Sequence, residues 1–459
     1  MNVYSPEKFD IKGIIVTKKI PYVVIMLGVV SLLTDAAAEM IYPLVPVFIA
    51  ALGSGAILLG IIEGIAETTA SMLKLVSGVW SDKLGKRRLF VMVGYSISAL
   101  IRPLTGIVTS GWQIIFVRMF DRVGKGIRTS PRDAMIASTV DESIRGRSYG
   151  FERAMDHIGA VVGPVLAIIT LIIIFVGFGL KDPLLALRWT FIAAIIPGLL
   201  TVLVLVVFVK EVPSQKKDAK TFTFSLKYFD RNFKNYLLVM VLFTLGNSSD
   251  AFLLFRVEEA IHKSGAVVNF VHRVAPLNRM VSNFGDQSTQ TTVINILFLP
   301  LVWAFFHIIK ASFSTPLGTL SDRIGRKVVI NMGWAIYAFV YISFAILVFL
   351  PSSWEISATF VLFAIYALFY AFTEGTEKAF VADLVSEENR GTAFGLFNFS
   401  IGLGALPASI LFGFLYSYFD KLLPGYGGTV AFGFGGTIAI IAMIFLSIKV
   451  KEPSKIRHK

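Results

Sequence analysis

Two stretches of this chain repeat one another: residues 78–87 read GVWSDKLGKR, and residues 318–327 read GTLSDRIGRK, 240 positions later. Each copy has a glycine, an aspartate four residues on, a second glycine and then two basic residues. A second echo follows in the same order, because the Arg-Gly pair at residues 145–146 recurs at residues 390–391. Repeated segments in matching order indicate a chain built from two similar halves.

The composition places both halves in a membrane. The chain has 459 residues, of which 55% are hydrophobic and 16% charged, with a mean hydropathy of +0.73. Soluble globular proteins have roughly 45–50% apolar and about 25% charged residues. A soluble fold of this composition would expose more apolar surface than water tolerates. We therefore predict an all-α membrane protein with the lipid bilayer as its surroundings.

Twelve runs of the chain are apolar and long enough to cross a bilayer, which takes about 20 residues. They cover residues 21–50, 56–80, 89–109, 112–136, 147–177, 187–209, 235–260, 292–320, 328–350, 355–382, 391–418 and 428–449. Internal charges make the fourth and tenth runs the weakest. No short apolar core followed by small residues precedes them, so we expect no cleavable signal.

Basic residues mark one side of the membrane. They concentrate at residues 83–88, 210–234 and 323–327 and in the C-terminal tail, whereas the alternate loops are short and nearly uncharged. The positive-inside rule places the basic loops and both termini in the cytoplasm. This distribution of the net charge of +13 argues against nucleic acid as a partner. We expect a monomeric, multi-pass protein of the cell membrane, the inner membrane where a cell has two.

The longest basic connection divides the chain near its middle. We predict an N-terminal six-helix bundle over residues 1–209, a cytoplasmic basic linker over 210–234 and a C-terminal bundle over 235–459. Asp35 and Asp250, each in the middle of a predicted helix, differ by only 215 positions. The spacing of the two halves therefore leaves about 25 extra residues after helix 7. We predict an extended, partly helical non-cytoplasmic loop at about residues 262–290.

The repeated Gly-x-x-x-Asp-x-x-Gly motif with its basic pair resembles the signature loop of the major facilitator superfamily. This resemblance implies two pseudo-symmetric six-helix bundles around a central cavity that is lined mainly by helices 1, 4, 7 and 10. The binding site would lie near the midplane and alternate between the two faces. Physically, glycines allow close helix approach, and an aspartate at a helix end can meet basic side chains. The motif predicts a cytoplasmic gate of Gly78, Asp82, Arg87, Arg88, Gly318, Asp322, Arg326 and Lys327.

Ionisable residues inside the predicted spans are candidates for substrate or proton binding, because charges in a membrane are costly. These candidates are Asp35, Glu39, Glu67, Arg118, Asp121, Arg122, Asp250, Glu374 and Glu377. Asp35 stands out because no cation lies within a helical turn of it. A buried carboxyl favours its protonated form, so Asp35 could load and release a proton. Pairs such as Glu374 with Lys378 could equally be structural.

Helix 5 carries Gly150, Gly159 and the dipeptide Gly163-Pro164. The pattern resembles the glycine-proline motif of antiporters in the superfamily, although Ala167 and Ile168 stand where further glycines are usual. Glycines at helical spacing also permit close packing on their own. We predict proton-coupled export of a small organic compound, amphipathic or cationic, because the spans hold many carboxylates and aromatic side chains that can bind a cation.

Other functions remain open on the sequence. Carboxylates with His157 could bind a metal ion for export, although no compact ligand set is visible. Alternatively, Arg118 and Arg122 could clamp an anionic nutrient for import. A receptor that binds without transporting is less favoured because charges line several spans. An enzyme is not expected: the chain has no cysteine and no phosphate-binding Gly-Lys-Ser/Thr loop, and we expect neither a cofactor nor a resident metal.

Overall fold

A computed structural model describes residues 20–140, 142–211, 229–385 and 390–452 of the chain. These ranges are helical and contain no strand. The N-terminal bundle comprises α1 (Tyr22–Glu39, resumed at Val45–Ala51), α2 (Ala56–Leu84), α3 (Arg87–Ile101), α4 (Gly111–Thr139), α5 (Glu142–Ile172) and α6 (Pro183–Ala193, resumed at Ile195–Phe208). The C-terminal bundle comprises α7 (Arg231–Gly246, resumed at Ala251–Ser264), α8 (Gln287–Ile324), α9 (Arg326–Ile346), α10 (Ser352–Leu384), α11 (Arg390–Leu422) and α12 (Gly427–Lys449).

Eleven of these helices are long and apolar enough to cross a membrane, counted over the described ranges. The twelfth, α4, has 29 residues, which is ample length for a span, but charged residues lower its hydropathy. The prediction of an all-α membrane protein with twelve spanning helices in two six-helix bundles is confirmed. Since the number of spans is even, α1 begins and α12 ends on the same side, called the termini side below.

Two helices are interrupted at corresponding places. The first segment of α1 ends at Glu39, where a 3₁₀ turn containing Pro43 precedes the second segment. Proline has no backbone N–H to continue the helix, which accounts for the break. In the other bundle, the first segment of α7 ends at Gly246 and the second begins directly after Asp250. Interrupted spanning helices often border binding sites in secondary transporters.

The two bundles meet through α2 with α11 and through α5 with α8. Gly60 and Gly64 of α2 make close approach possible: a Cβ at Gly60 would lie 2.2 Å from the backbone oxygen of Ser409. On the opposite helix, Gly413 meets Ala56 in the same way, at 2.5 Å from its backbone oxygen. Small residues at such contacts let backbones pack without intervening side chains.

Two short helices, Ala266–Arg273 and Ala275–Val281, connect α7 to α8 within the predicted loop at 262–290. Val271 is buried there, and Phe284 meets Phe175 of the other bundle edge to face at 5.2 Å. This connection therefore contacts both bundles on the side away from the termini. The predicted linker at 210–234 falls mostly outside the described residues, which lack 212–228.

Candidate functional site

A cavity of about 500 Å³, the central cavity, lies between the bundles and is lined by α1, α2, α4, α7, α8, α10 and α11. A second cavity of about 320 Å³, the termini-side cavity, is lined chiefly by the N-terminal bundle. Six side chains line both and form their shared wall: Glu39, Lys125, His307, Lys310, Glu374 and Lys378. The two cavities are therefore neighbouring compartments, separated by charged groups from both bundles.

The cavities bring together most of the residues predicted as substrate or proton sites. Those lining the central cavity are Glu39, Glu67, Arg122, Asp250, Glu374 and Glu377. Asp35 lines the termini-side cavity. Arg118 and Asp121 line neither and instead border a small pocket beside Arg102. Their burial in that pocket separates them from the space that a solute would occupy.

Arg118 and Asp121, which line neither cavity, make buried ion pairs within the N-terminal bundle. Asp121 lies 2.8 Å from Arg102, and Arg118 lies 2.8 Å from Glu63, with every side chain at most 7% exposed. The guanidinium of Arg118 also lies over the ring of Tyr42, 5.3 Å from its centre. Breaking such buried pairs strongly destabilises a protein, so their contacts fit a structural role.

Glu39 and Asp250 stand at the helix breaks and accept hydrogen bonds from aromatic side chains. The indole N–H of Trp303 donates to Glu39 across the bundle interface at 2.7 Å. The hydroxyls of Tyr366 and Tyr370 donate to Asp250 at 2.6 and 2.9 Å. These carboxylates therefore face the central cavity with part of their acceptor capacity already occupied by the protein.

The two acids of α10 have donors as well. Glu377 accepts a hydrogen bond from the indole N–H of Trp334 at 3.0 Å. Glu374 forms an ion pair with Lys310 of α8 at 3.0 Å, and that ammonium lies over the ring of Tyr370. Both acids thus belong to contacts with neighbouring helices of the C-terminal bundle.

Asp35 differs from these acids. It forms no ion pair or hydrogen bond with any other residue that the structure describes. Its helix lies against α5 at the glycines of the predicted motif: a Cβ at Gly159 would lie 2.4 Å from the backbone oxygen of Leu32 and 3.1 Å from the Cβ of Asp35. A Cβ at Gly163 would lie 2.8 Å from that of Glu39. The glycines therefore let α5 pack directly on the stretch of α1 that carries both acids.

Comparison with known proteins agrees with this geometry. A family model described as Major Facilitator Superfamily matches residues 27–271 and 274–459. The chain belongs to the major facilitator superfamily. It is 33% identical over 423 residues to an uncharacterized MFS-type transporter of Methanocaldococcus jannaschii, covering 92% of this chain and 94% of that protein. The chain is therefore a membrane transporter of this superfamily rather than a member of an enzyme family.

More distant matches include a multidrug resistance protein and two transporters of known structure. The multidrug resistance protein MdtG of Salmonella schwarzengrund is 22% identical over 168 residues, which is 36% of this chain and 41% of that protein. The D-xylose-proton symporter and the nucleoside transporter NupG have solved structures with TM-scores of 0.68 and 15% identity. They cover 94% and 93% of this chain, and 98% and 99% of their own chains are matched. At this identity the structures show the shared fold alone.

The residues predicted to form the superfamily's cytoplasmic gate are only partly described. The side chains of Asp82 and Asp322 lie outside the described residues, as does the environment of Gly150 in α5. Arg87 donates to the backbone oxygen of Ala134 at the end of α4. Gly78 faces Ser130 of that helix, whereas a Cβ at Gly318 would meet nothing within 4 Å.

The N-termini of α3 and α9 are capped in the same way, each by a glutamate that follows the last helix of its own bundle. Glu211, after α6, accepts a hydrogen bond from the backbone N–H of Arg88 at 3.1 Å. Glu452, after α12, accepts from the backbone N–H groups of Arg326 and Lys327 at 2.7 and 2.8 Å. A carboxylate at a helix N-terminus satisfies unpaired donors and complements the helix dipole. The repeat between the two halves of the chain therefore extends to these helix caps.

Several cavity residues were missed by the sequence analysis. None of the following residues was predicted to contribute to a site: Lys74, Lys125, Trp303, His307, Lys310, Tyr366, Tyr370 and Lys378. The ring of His307 is buried and lines both cavities. The aromatic donors Trp303, Tyr366 and Tyr370 carry no charge signal in an apolar run, so the sequence does not single them out.

Proposed function

We propose that this transporter exports a small organic compound in exchange for protons, by alternating access of the central cavity. The observation that carries the proposal is Asp35, a cavity carboxyl with no hydrogen-bond or ion-pair partner among the described residues. Such a group is available to bind a proton and release it when its surroundings change. Asp35 lines the termini-side cavity, and the carboxylates of the central cavity interact with donors or basic groups of the protein, which makes them poorer candidates.

The helix packing supports coupling between Asp35 and the movement of the bundles. Gly159 and Gly163 hold α5 against the part of α1 that carries Asp35 and Glu39. Glu39 in turn bonds to Trp303 of the opposite bundle. A change of charge on α1 therefore acts on a contact between the bundles. Export is proposed from this glycine-proline pattern, and the partial similarity to a multidrug resistance protein agrees with it.

The contacts between the bundles support an alternating mechanism. Among the described residues, their hydrogen bonds join Glu39 to Trp303, Tyr42 and Glu63 to Ser249, and Thr68 to Gly402. All lie at mid-membrane or on the side away from the termini. With cytoplasmic termini, this arrangement is a conformation closed to the outside. Outward opening would then require these contacts to separate while the termini side closes.

The metal-export alternative has less support. Over the part of the chain that the structure describes, no group of three or more His, Asp or Glu side chains could hold a metal ion. His157 lines the termini-side cavity but has no carboxylate set around it that meets this condition. We therefore retain an organic compound as the proposed cargo.

Proton binding by Asp35 can be tested without knowing the cargo. Proteoliposomes on a solid-supported membrane should give a transient current after a pH step, because a proton moves into the membrane interior. Asp35→Asn should abolish this current, and Asp35→Glu should retain it. Asp286→Asn, at an exposed helix start outside the cavities, is the matched control and should leave the current unchanged. A wild-type current in Asp35→Asn would refute the proposed proton site.

A further inference from the structure

We propose that an organic oxyanion, a carboxylate or a phosphate ester, binds at the wall shared by the two cavities through four basic side chains: Lys125 and Lys378 on that wall, Arg122 of the central cavity and Lys74 of the termini-side cavity. This inference rests on the proposed transport function and names the chemical class of its cargo. It departs from the cationic compound expected from the number of acids in the sequence. The reason is that the protein supplies hydrogen-bond donors or positive charges to the carboxylates of the central cavity but supplies no bonded acceptors to these four side chains within the described residues.

The carboxylates of the central cavity already have protein donors. Indole N–H groups donate to Glu39 and Glu377, and two tyrosine hydroxyls donate to Asp250. The positive charges of Lys74, Arg122 and Lys125 act on Glu67, and the Ser71 hydroxyl lies one turn along the same helix. The remaining two, Glu63 and Glu374, are in ion pairs. An incoming cation would therefore compete with donors that are already in place.

The four basic groups act on nearby carboxylates through their charge but have no bonded partner in the part of the chain that the structure describes. Across the described ranges, none of them forms an ion pair or donates a side-chain hydrogen bond to another residue. Each lysine ammonium has three donor hydrogens and the guanidinium of Arg122 has five. Lys74, Arg122 and Lys125 are half-buried, and charges partly removed from bulk water are costly unless paired, whereas Lys378 is exposed. An oxyanion supplies both the missing acceptors and the opposite charge.

The basic groups converge from both bundles. Lys125 of α4 and Lys378 of α10 stand on the wall shared by the two cavities. Lys74 of α2 lines the termini-side cavity together with both lysines, and Arg122 of α4 lines the central cavity together with both. Like charges on opposite bundles oppose closure of the termini side. An oxyanion between Lys125 and Lys378 would remove that repulsion and so link binding to movement of the bundles.

The neighbouring wall suits the organic part of the cargo. Trp303 stacks on Phe306 with ring centres 4.8 Å apart and meets Tyr42 at 5.1 Å. These rings line the central cavity together with Phe243 and Phe369. Aromatic walls bind planar or apolar groups through burial and ring contacts. The cavity therefore combines a basic region for an oxyanion with an aromatic region for its body.

Binding of small aromatic probes tests this assignment in the purified full-length protein. Benzoate and phenyl phosphate carry the two oxyanions, and benzyltrimethylammonium and benzyl alcohol are the cationic and neutral counterparts. We expect at least one anion to raise the unfolding temperature and to bind at least about tenfold more tightly than the cation. Which anion binds more tightly distinguishes a carboxylate cargo from a phosphate.

Substitutions locate the site. Lys125→Gln and Lys378→Gln should each weaken anion binding about tenfold, consistent with loss of one charge-assisted hydrogen bond. Lys125→Arg should retain binding. That result would show that the fold tolerates a change at this position. Lys421→Gln, at the exposed end of α11, is the matched control and should bind like wild type.

Several outcomes would overturn the inference. Tighter binding of benzyltrimethylammonium than of either anion would do so, as would absence of anion binding at millimolar concentration. Unchanged affinity in both glutamine variants would also refute it. If an anion binds through Lys125 and Lys378 but the pH-step current does not depend on Asp35, the oxyanion site stands and the proton-coupled mechanism fails. If the protein shows no preference for anions but the pH-step current still depends on Asp35, the proton-coupled mechanism stands and the oxyanion site fails.

Discussion

Replacing Gly159 with alanine is expected to disturb the packing of α5 on α1 and, through it, transport. The added Cβ would lie 2.4 Å from the backbone oxygen of Leu32 and 3.1 Å from the Cβ of Asp35. Ordinary contacts of this kind begin at 3.4 Å. The helices must therefore separate locally by about 1 Å, since a backbone oxygen cannot rotate away as a flexible side chain can.

The expected loss of stability follows from two opposing effects. Overpacking of a close contact costs about 1–3 kcal/mol, and contact with rigid backbone places this substitution near the upper value. Alanine in a helix interior returns about 1 kcal/mol relative to glycine. The free energy of unfolding should therefore fall by about 2 kcal/mol. Since a displacement of about 1 Å at a reacting group can cost about 100-fold in rate, we expect a 10- to 100-fold loss of proton-coupled transport.

Unfolding and the pH-step current, measured on the same preparation, check this prediction. Gly433→Ala in α12 is the matched control, because its Cβ would meet only Ala345 at 3.8 Å and should leave both measurements near wild type. Gly163→Ala pushes the same two helices apart, so the double variant with Gly159→Ala should lose less stability than the two separate losses combined. If Gly159→Ala matches Gly433→Ala in stability and current, the packing argument is wrong.

Three further predictions concern groups away from the central cavity. Asp121→Asn should lower the free energy of unfolding by about 3–5 kcal/mol, because Arg102 would keep a buried charge without its partner. Glu452→Ala should cost about 1 kcal/mol by removing the cap at the backbone N–H of Arg326, as denaturant unfolding would show. Hydrogen bonds from Thr289 hold the pKa of Asp286 below its ordinary value of 3.8, so this cap stabilises α8 fully above that pH and is lost as the pH falls through the lowered pKa. Asp286→Asn should remove that part of the acid dependence of unfolding, since asparagine caps without titrating.

The fold was predictable because it follows from properties that vary along the chain. Apolar runs of spanning length gave the twelve helices, and the duplicated motif at residues 78–87 and 318–327 gave the two halves. The runs at 112–136 and 355–382 were the weakest by composition; α4 does not pass as an apolar span, whereas α10 does. The charges of α4 are accommodated because Arg118 and Asp121 pair inside the bundle. Such pairing depends on tertiary structure and cannot be read from hydropathy.

The site was predictable only in part. The acids at the helix breaks were found because a carboxylate in an apolar run is conspicuous, as with Glu39 and Asp250. Their donors were not found, because Trp303, Tyr366 and Tyr370 belong to other helices and are ordinary residues for a membrane span. Counting charges therefore found most of the acids of the central cavity, though not Glu63, without showing how many were free to bind.

This distinction decides which charge the cavity offers to a cargo. In the sequence, Glu374 and Lys378 look like one local pair, one turn apart on a helix. In the structure, Glu374 pairs instead with Lys310 of α8, and Lys378 is left facing the shared wall of the two cavities. A lysine from another helix thus takes the place of Lys378, whose ammonium forms no ion pair with any carboxylate in the described ranges. Such an exchange of partners cannot be seen along the chain. The charge preference of the cavity therefore cannot be obtained by counting charges, since it depends on which of them remain unpaired.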